Sequence, residues 1–260
     1  MQEAALDGGS RKYLAGGTVI DGWQVPSLRG EGATGLGRWS EPDIVDFLKT
    51  GRTDHSAVFG GMADVVAWST QYVSDGDLHA VAKYLKTLPS AARADSRYVY
   101  DGKATAMLDG GNTGNDNGAS IYLRECAICH RNDGGGVARM FPPLAGNPVV
   151  MASSPVSLIK LISQGAALPP SNWAPSTVAM PAYGDHLSNK DIADVTNFIR
   201  TSWGNSAKPN STAGGIGRLH LGQPPASGGQ AQGWTVMAPE PYGHGWTFSP
   251  QTHTGQDAAR

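Results

Sequence analysis

Arg124 to Gly136 reads RECAICHRNDGGG, and this stretch decides how the rest of the chain is built. It holds both cysteines of the chain, Cys126 and Cys129, one helical turn apart, with His130 directly after the second. Two thiols so placed reach the two vinyl groups of a haem, and the adjacent imidazole then lies under the iron as a fifth ligand; the spacing is that of c-type haem attachment. A structural zinc site needs four protein ligands, and no second cysteine pair or nearby HxxxH completes one. A thioredoxin-like redox CxxC follows a strand, whereas GASIYLREC (118–126) has the pattern of a helix leading into the motif.

An electron-transfer haem is capped on both faces, and a thioether raises its reduction potential relative to a second imidazole. Met180, in VAMPAYGDHLS (178–188), is the expected sixth ligand: it lies on a loop before the last strongly periodic helix, and Pro181 stiffens its backbone. Met140 follows His130 too soon for the chain to round the haem edge, Met107 precedes the motif, Met151 reads as packing and Met237 lies in the tail. After the motif, FPPLAGN (141–147) offers a proline carbonyl, from Pro142 or Pro143, to accept the Nδ1 proton of His130. Arg139, Asn147, Trp173 and Tyr183 are candidates for the propionates, each with an equal claim as a solvated or packing residue.

Around this centre the periodicity is helical. Ser40, Ser74 and Ser188 each precede an aspartate by three residues and open an apolar stripe, and Ser154-Pro155 opens a fourth. The stripes place Ile44, Val45, Phe47 and Leu48 inward in the first helix, and Leu78, Val81, Ala82, Leu85 and Leu88 in the second. Ile192, Val195, Phe198 and Ile199 form the last. A helix closing on Gly51 or Gly165, a methionine at Met62 or Met180, and a helix opening at Ser74 or Ser188 recur in one order, at offsets of 114, 118 and 114 residues. This is the signature of two copies of one module. The expected fold class is therefore all-α, two haem-protein-like helical modules with long loops. Residues 1–88 form the end of a first module without its own CxxCH, 89–117 a connector, 118–205 a complete second module, and 206–260 an irregular Gly/Pro-rich tail. Trp234, Tyr242, Trp246 and Phe248 of that tail are available for docking.

Composition narrows the function classes. With 260 residues, 40% of them hydrophobic, the chain has material for two small cores. A formal charge of −2 with scattered lysines and arginines argues against nucleic acid as a partner. No run approaches the roughly 20 apolar residues of a bilayer span, and the start MQEAALDGGSRK lacks the pattern of an export signal. No nucleophile elbow, carboxylate pair or metal triad stands out, so the chain is not expected to carry out substrate chemistry itself.

The segments DGWQVPSLRGEGATGLGRWSEPDIVDFLKTGRTDHSAVFGGMADVV (21–66), STQYVSDGDLHAVAKYLKTLP (69–89), YLRECAICHRNDGGG (122–136), FPPLAGNP (141–148) and MPAYGDHLSNKDIADVTNFIRTSWGN (180–205) resemble a known family. It is that of the cytochrome c subunits of bacterial membrane-bound alcohol, gluconate or sorbitol dehydrogenases. The resemblance spans about Tyr13 to Asn205, and the tail after Lys208 matches nothing in the family. Such subunits carry three haem domains, so the resemblance implies the last part of one. Cys126 and Cys129 would hold haem c, His130 and Met180 would cap it, and Met62 would cap a second haem whose CxxCH lies upstream. The rival is a complete chain whose first module lost its haem, with Met62 a core residue. The implied role is an electron-transfer subunit of an oxidoreductase acting on CH–OH donors. Its partners would be a dehydrogenase catalytic subunit and ubiquinone, at the periplasmic surface of the inner membrane, the export signal being absent by truncation. A free diffusible periplasmic cytochrome, and a ligand sensor or peroxidase with a labile sixth ligand, are the alternatives.

Overall fold

The computed structural model describes residues 10–92, 97–209 and 211–221. A two-stranded hairpin, β1 (Val19–Ile20) and β2 (Trp23–Gln24), precedes three helices: α1 (Glu41–Thr50), α2 (Gly61–Trp68) and α3 (Asp75–Thr87). The second half contains α4 (Lys103–Asp109), α5 (Asn117–Ile121), a π-helical segment Tyr122–Cys126 and α6 (Ala127–His130). There follow α7 (Val156–Gln164), an antiparallel pair β3 (Ala166–Leu168) and β4 (Val178–Met180), then α8 (Asn189–Thr201) and α9 (Ala213–Leu221). The fold is mostly helical, as expected, with the two short ladders as additions.

The serine caps form where the sequence places them. Ser40 and Ser188 each make a full capping box, the hydroxyl accepting from the N3 amide and the N3 aspartate accepting from the serine N–H. At α3 the Ser74 hydroxyl accepts from Asp77 N–H. Each such cap contributes about 1 kcal/mol. At α7 the N-cap position is Pro155, and Ser154 instead accepts from Val156 N–H at 3.3 Å.

Three apolar clusters hold the chain together. The largest gathers Ile121, Tyr122, Val150, Leu158, Ile162, Ile192, Val195, Phe198 and Ile199 with Trp203. The rings of Tyr122, Phe198 and Trp203 lie 5.0 to 5.7 Å apart. A second, Trp39, Ile44, Val45, Leu78 and Ala82, packs α1 on α3. A third, Val58, Val66 and Leu168 with Met62 and Val178, is built from both halves of the sequence. Polar ties add to it: Ser157 accepts from Gln24 N–H at 2.8 Å, and Lys160 donates to Asp21 O at 2.8 Å.

Three expectations change. Residues 89–117, read as a connector, contain α4, and Leu108 from it is buried in the main core. The tail carries α9, whose "AGGIGRLHL" has too many glycines to signal a helix; Ile216, fully buried in the main core, is what fastens it. Val81 is 44% exposed instead of inward, because α1 covers only the Leu78 and Ala82 side of α3. The equivalent residue of α8, Val195, is fully buried. There α5 packs so closely that a Cβ on Gly118 would stand 2.3 Å from Asp194 O. The four tail aromatics and Met237 lie outside the described residues.

Candidate haem site

Cys126, Cys129, His130 and Met180 come together on the walls of one cleft. The cleft encloses about 1200 Å³ with its open mouth included, and Leu144, Val150, Leu158, Ile162, Leu168, Val178 and Ile199 also line it. The two thiols are half-buried and unbonded to each other. Burial first, then the charge of Glu125 and the neighbouring Cys129, pushes the Cys126 thiol up to about 12. A thiol held in its protonated form is not a resting nucleophile, which weighs against the redox reading. Between the cysteines Ile128 points outward, 86% exposed.

His130 is buried, and its Nδ1 lies 2.9 Å from the carbonyl of Pro142. Of the two prolines proposed from sequence, Pro142 is therefore the partner, while the Pro143 carbonyl accepts from Asn147 Nδ2 at 2.8 Å. Desolvation lowers the His130 pKa, and the Pro142 hydrogen bond opposes that shift. A neutral imidazole that donates Nδ1–H to a carbonyl keeps its Nε2 lone pair for a metal.

The Pro142 carbonyl is placed by a tight loop. Gly136 N–H donates to His130 O at 3.0 Å, and Val137 pairs with Phe141. Gly136 has φ +65°, and a Cβ there would stand 2.2 Å from Phe141 O and 2.8 Å from Pro142 O. Gly136→Ala is expected to cost about 1–3 kcal/mol by strain and overpacking, read from urea denaturation of the haem-loaded protein.

Met180 ends β4, opposite Ala166. This ladder was not legible in the sequence, which placed Met180 in a loop. Gly165 stops α7 and also lets the Met180 strand approach: a Cβ on it would lie 2.5 Å from Met180 O. Beyond Pro181, Tyr183 N–H donates to Ile162 O and Gly184 N–H to Ser163 O, each at 2.9 Å. Met180 is thus held from both sides along the end of α7.

The other candidates separate. Tyr183 lines the cleft but donates its hydroxyl to Glu125 O at 2.9 Å. Asn147 lines it too and is used to fix the Pro143 loop. Trp173 is 62% exposed, with Lys49 4.4 Å over its ring. Arg139 is paired with Asp46. Met62 is absent from the cleft walls, lies in the first turn of α2 and packs beside Val58 and Leu168. Sequence reasoning missed Tyr122, whose hydroxyl donates to Arg131 O at 2.6 Å, and Asn205, which ties Gly146 N–H and Leu144 O. No local pattern marks either residue.

Residues 116–203 match the cytochrome c family. A cytochrome c-552 of Thermus thermophilus is 31% identical over 96 residues, which are 35% of this chain and 71% of that protein. The chain belongs to the cytochrome c family. It is also similar, at 61% identity over its whole length, to the cytochrome c subunit of an alcohol dehydrogenase (quinone) of Gluconacetobacter polyoxogenes, covering 57% of that subunit, so the likeness runs through the tail after Lys208 that was expected to match nothing in the family. Against the gluconate 2-dehydrogenase cytochrome c subunit of Pantoea cypripedii it is 43% identical, over 84% of this chain and 50% of that one. The chain thus spans a little over half the length of such relatives. The cofactor of the cytochrome c domain is covalently bound haem c. The cleft fits it: a mostly apolar slot with two thiols unbonded to each other, a buried imidazole whose Nδ1 is already committed, and a thioether. No helix among the described residues is long and apolar enough to cross a membrane.

Proposed function

We propose that Cys126 and Cys129 carry the haem through thioethers, that His130 Nε2 and the Met180 sulfur are its axial ligands, and that the chain relays electrons within a quinone-dependent dehydrogenase. The observation that carries this reading is the convergence of those four side chains, from the π-helical segment, α6 and β4, on one mostly apolar cleft. The haem supplies one-electron exchange between ferrous and ferric iron. The chain's own residues supply the rest. Pro142 orients the imidazole, the Gly165 approach holds the thioether strand, and the apolar walls exclude the water that would stabilise the ferric charge. With both axial positions filled from the chain, no acid, base or nucleophile is required.

Electrons come from a dehydrogenase catalytic subunit and pass to ubiquinone at the periplasmic surface of the inner membrane. The 61% identity to an alcohol dehydrogenase (quinone) subunit, against 43% to a gluconate 2-dehydrogenase one, favours an alcohol as the donor's substrate. Both relatives are named as subunits, which argues against a freely diffusing cytochrome.

Residues 1–88 are read as the closing part of another such module and 118–205 as a complete one. Supporting this, α1 and α3 repeat α7 and α8, and the face of α3 that carries Val81 and Tyr84 is 44% and 46% exposed, where α8 has Val195 and Phe198 under α5. Met62 becomes an axial ligand of a second haem only with a CxxCH supplied by further sequence. The test is copurification from detergent-solubilised membranes. The chain is expected to elute with a dehydrogenase subunit, its haem turning ferrous on addition of a primary alcohol and ferric again with a quinone analogue. A haem that elutes alone, or stays ferric with alcohol, overturns the assignment.

A further inference from the structure

Arg52 follows the glycine that ends α1 and is only 5% exposed. Its two terminal nitrogens donate to Ser176 in the second half of the chain, one to the hydroxyl at 3.2 Å and one to the backbone carbonyl. Nε is buried and has no partner. No carboxylate pairs with Arg52 among the described residues. Desolvation lowers its pKa, with no acidic neighbour to oppose the shift. A buried guanidinium without a counter-charge is costly, so the site calls for an anion. Arg200 shows the contrast: it is fully buried, but all three of its nitrogens donate to the carbonyls of Val150 and Lys208.

Arg52 and Arg139 line one small recess together with Ser56, Ala57, Met140, Pro142 and Leu168, and these last five also line the cleft. Two guanidiniums therefore stand in a recess that shares these walls with the cleft. Arg139 already has Asp46. A haem tethered at Cys126 and Cys129 brings two propionate carboxylates that must reach a margin of the cleft.

On the reading of the cleft as the haem site, we propose that Arg52, from the first half of the chain, binds a propionate of the haem attached to the second half through its free Nε–H. Ser176 holds the terminal nitrogens and so fixes the plane in which Nε–H points, an orientation that lysine does not reproduce. It makes the first half part of the haem site and ties the potential of the iron to how the halves are docked. A fixed positive charge at a propionate favours the ferrous state, which carries one charge less.

The experiment uses the haem-loaded protein equilibrated with a redox mediator of fixed potential. Arg52→Met is expected to shift the ferrous-to-ferric ratio roughly four- to tenfold toward ferric, and Arg52→Lys to restore most of it. If the variants lower the melting temperature and leave the ratio unchanged, Arg52 only ties the halves through Ser176 and the proposal is wrong. Should Arg52→Met not accumulate, resonance Raman on the wild type and Arg52→Lys decides. The propionate band is expected to shift in D2O in the wild type and to stand at a different frequency in Arg52→Lys, where an ammonium replaces the guanidinium, and a wild-type band indifferent to D2O overturns the proposal. A wild type whose pigment is extracted by acidified acetone defeats the haem-site reading instead, so the two failures are distinct.

Discussion

Cys126→Ala/Cys129→Ala, expressed in a host that attaches haem c, is expected to give a protein without pigment resistant to acidified acetone and without cooperative thermal unfolding of its second half. On the proposed assignment the two thioethers are the covalent hold on the haem, and the haem in turn fills the cleft. Without it Leu144, Val150, Leu158, Ile162 and Ile199 face a slot open to water. Emptying the space of a single large apolar side chain costs about 2–5 kcal/mol. A whole domain has only about 5–15 kcal/mol in reserve. A slot this size exceeds one side chain several times over, so its loss consumes that reserve. Circular dichroism of the melted helices and the acetone extraction read the two halves of the prediction. Pigment retained after extraction, or a melting curve unchanged from the wild type, would sink it.

Met180→Ala is expected to retain the covalent pigment and open the sixth position. The reduced variant then binds carbon monoxide, where the wild-type ferrous spectrum does not respond. The ferric near-infrared band of thioether ligation disappears, and the potential falls, since methionine is the ligand that raises it. The fold survives, because β4 pairs with β3 through backbone groups that alanine supplies equally, and the cost of a half-buried methionine is about 2 kcal/mol. A variant that ignores carbon monoxide would show that the iron takes its sixth ligand elsewhere. A wild type that binds it would favour the sensor or peroxidase alternative.

The helices with serine caps were legible because a cap is a contract between residues three apart: Ser40 with Asp43, Ser188 with Asp191. The same holds for the glycine stops at Gly51 and Gly165, where a positive φ is a local requirement. Helix α9 and the β3–β4 ladder left no such trace. Ile216 and Met180 owe their places to partners on α8 and beside α7, not to their neighbours in sequence. Val81 shows the reverse failure: its place on the stripe implied burial, but among the described residues no element covers that side of α3.

By itself the sequence determined that the cofactor is a covalently bound haem c and where to propose its attachment. Cys126, Cys129 and His130 sit within five residues, and attachment of a cofactor to neighbouring groups depends on covalent spacing that no distant contact alters. Only the tertiary structure decided which proline carbonyl meets His130, that Met180 and not Met62 shares the cleft with it, and that Arg52 is buried beside that cleft from the other half of the chain. These are meetings between segments up to more than a hundred residues apart. Their free energy comes from packing and desolvation, which depend on what the folded chain excludes from water and not on the order in which residues are joined.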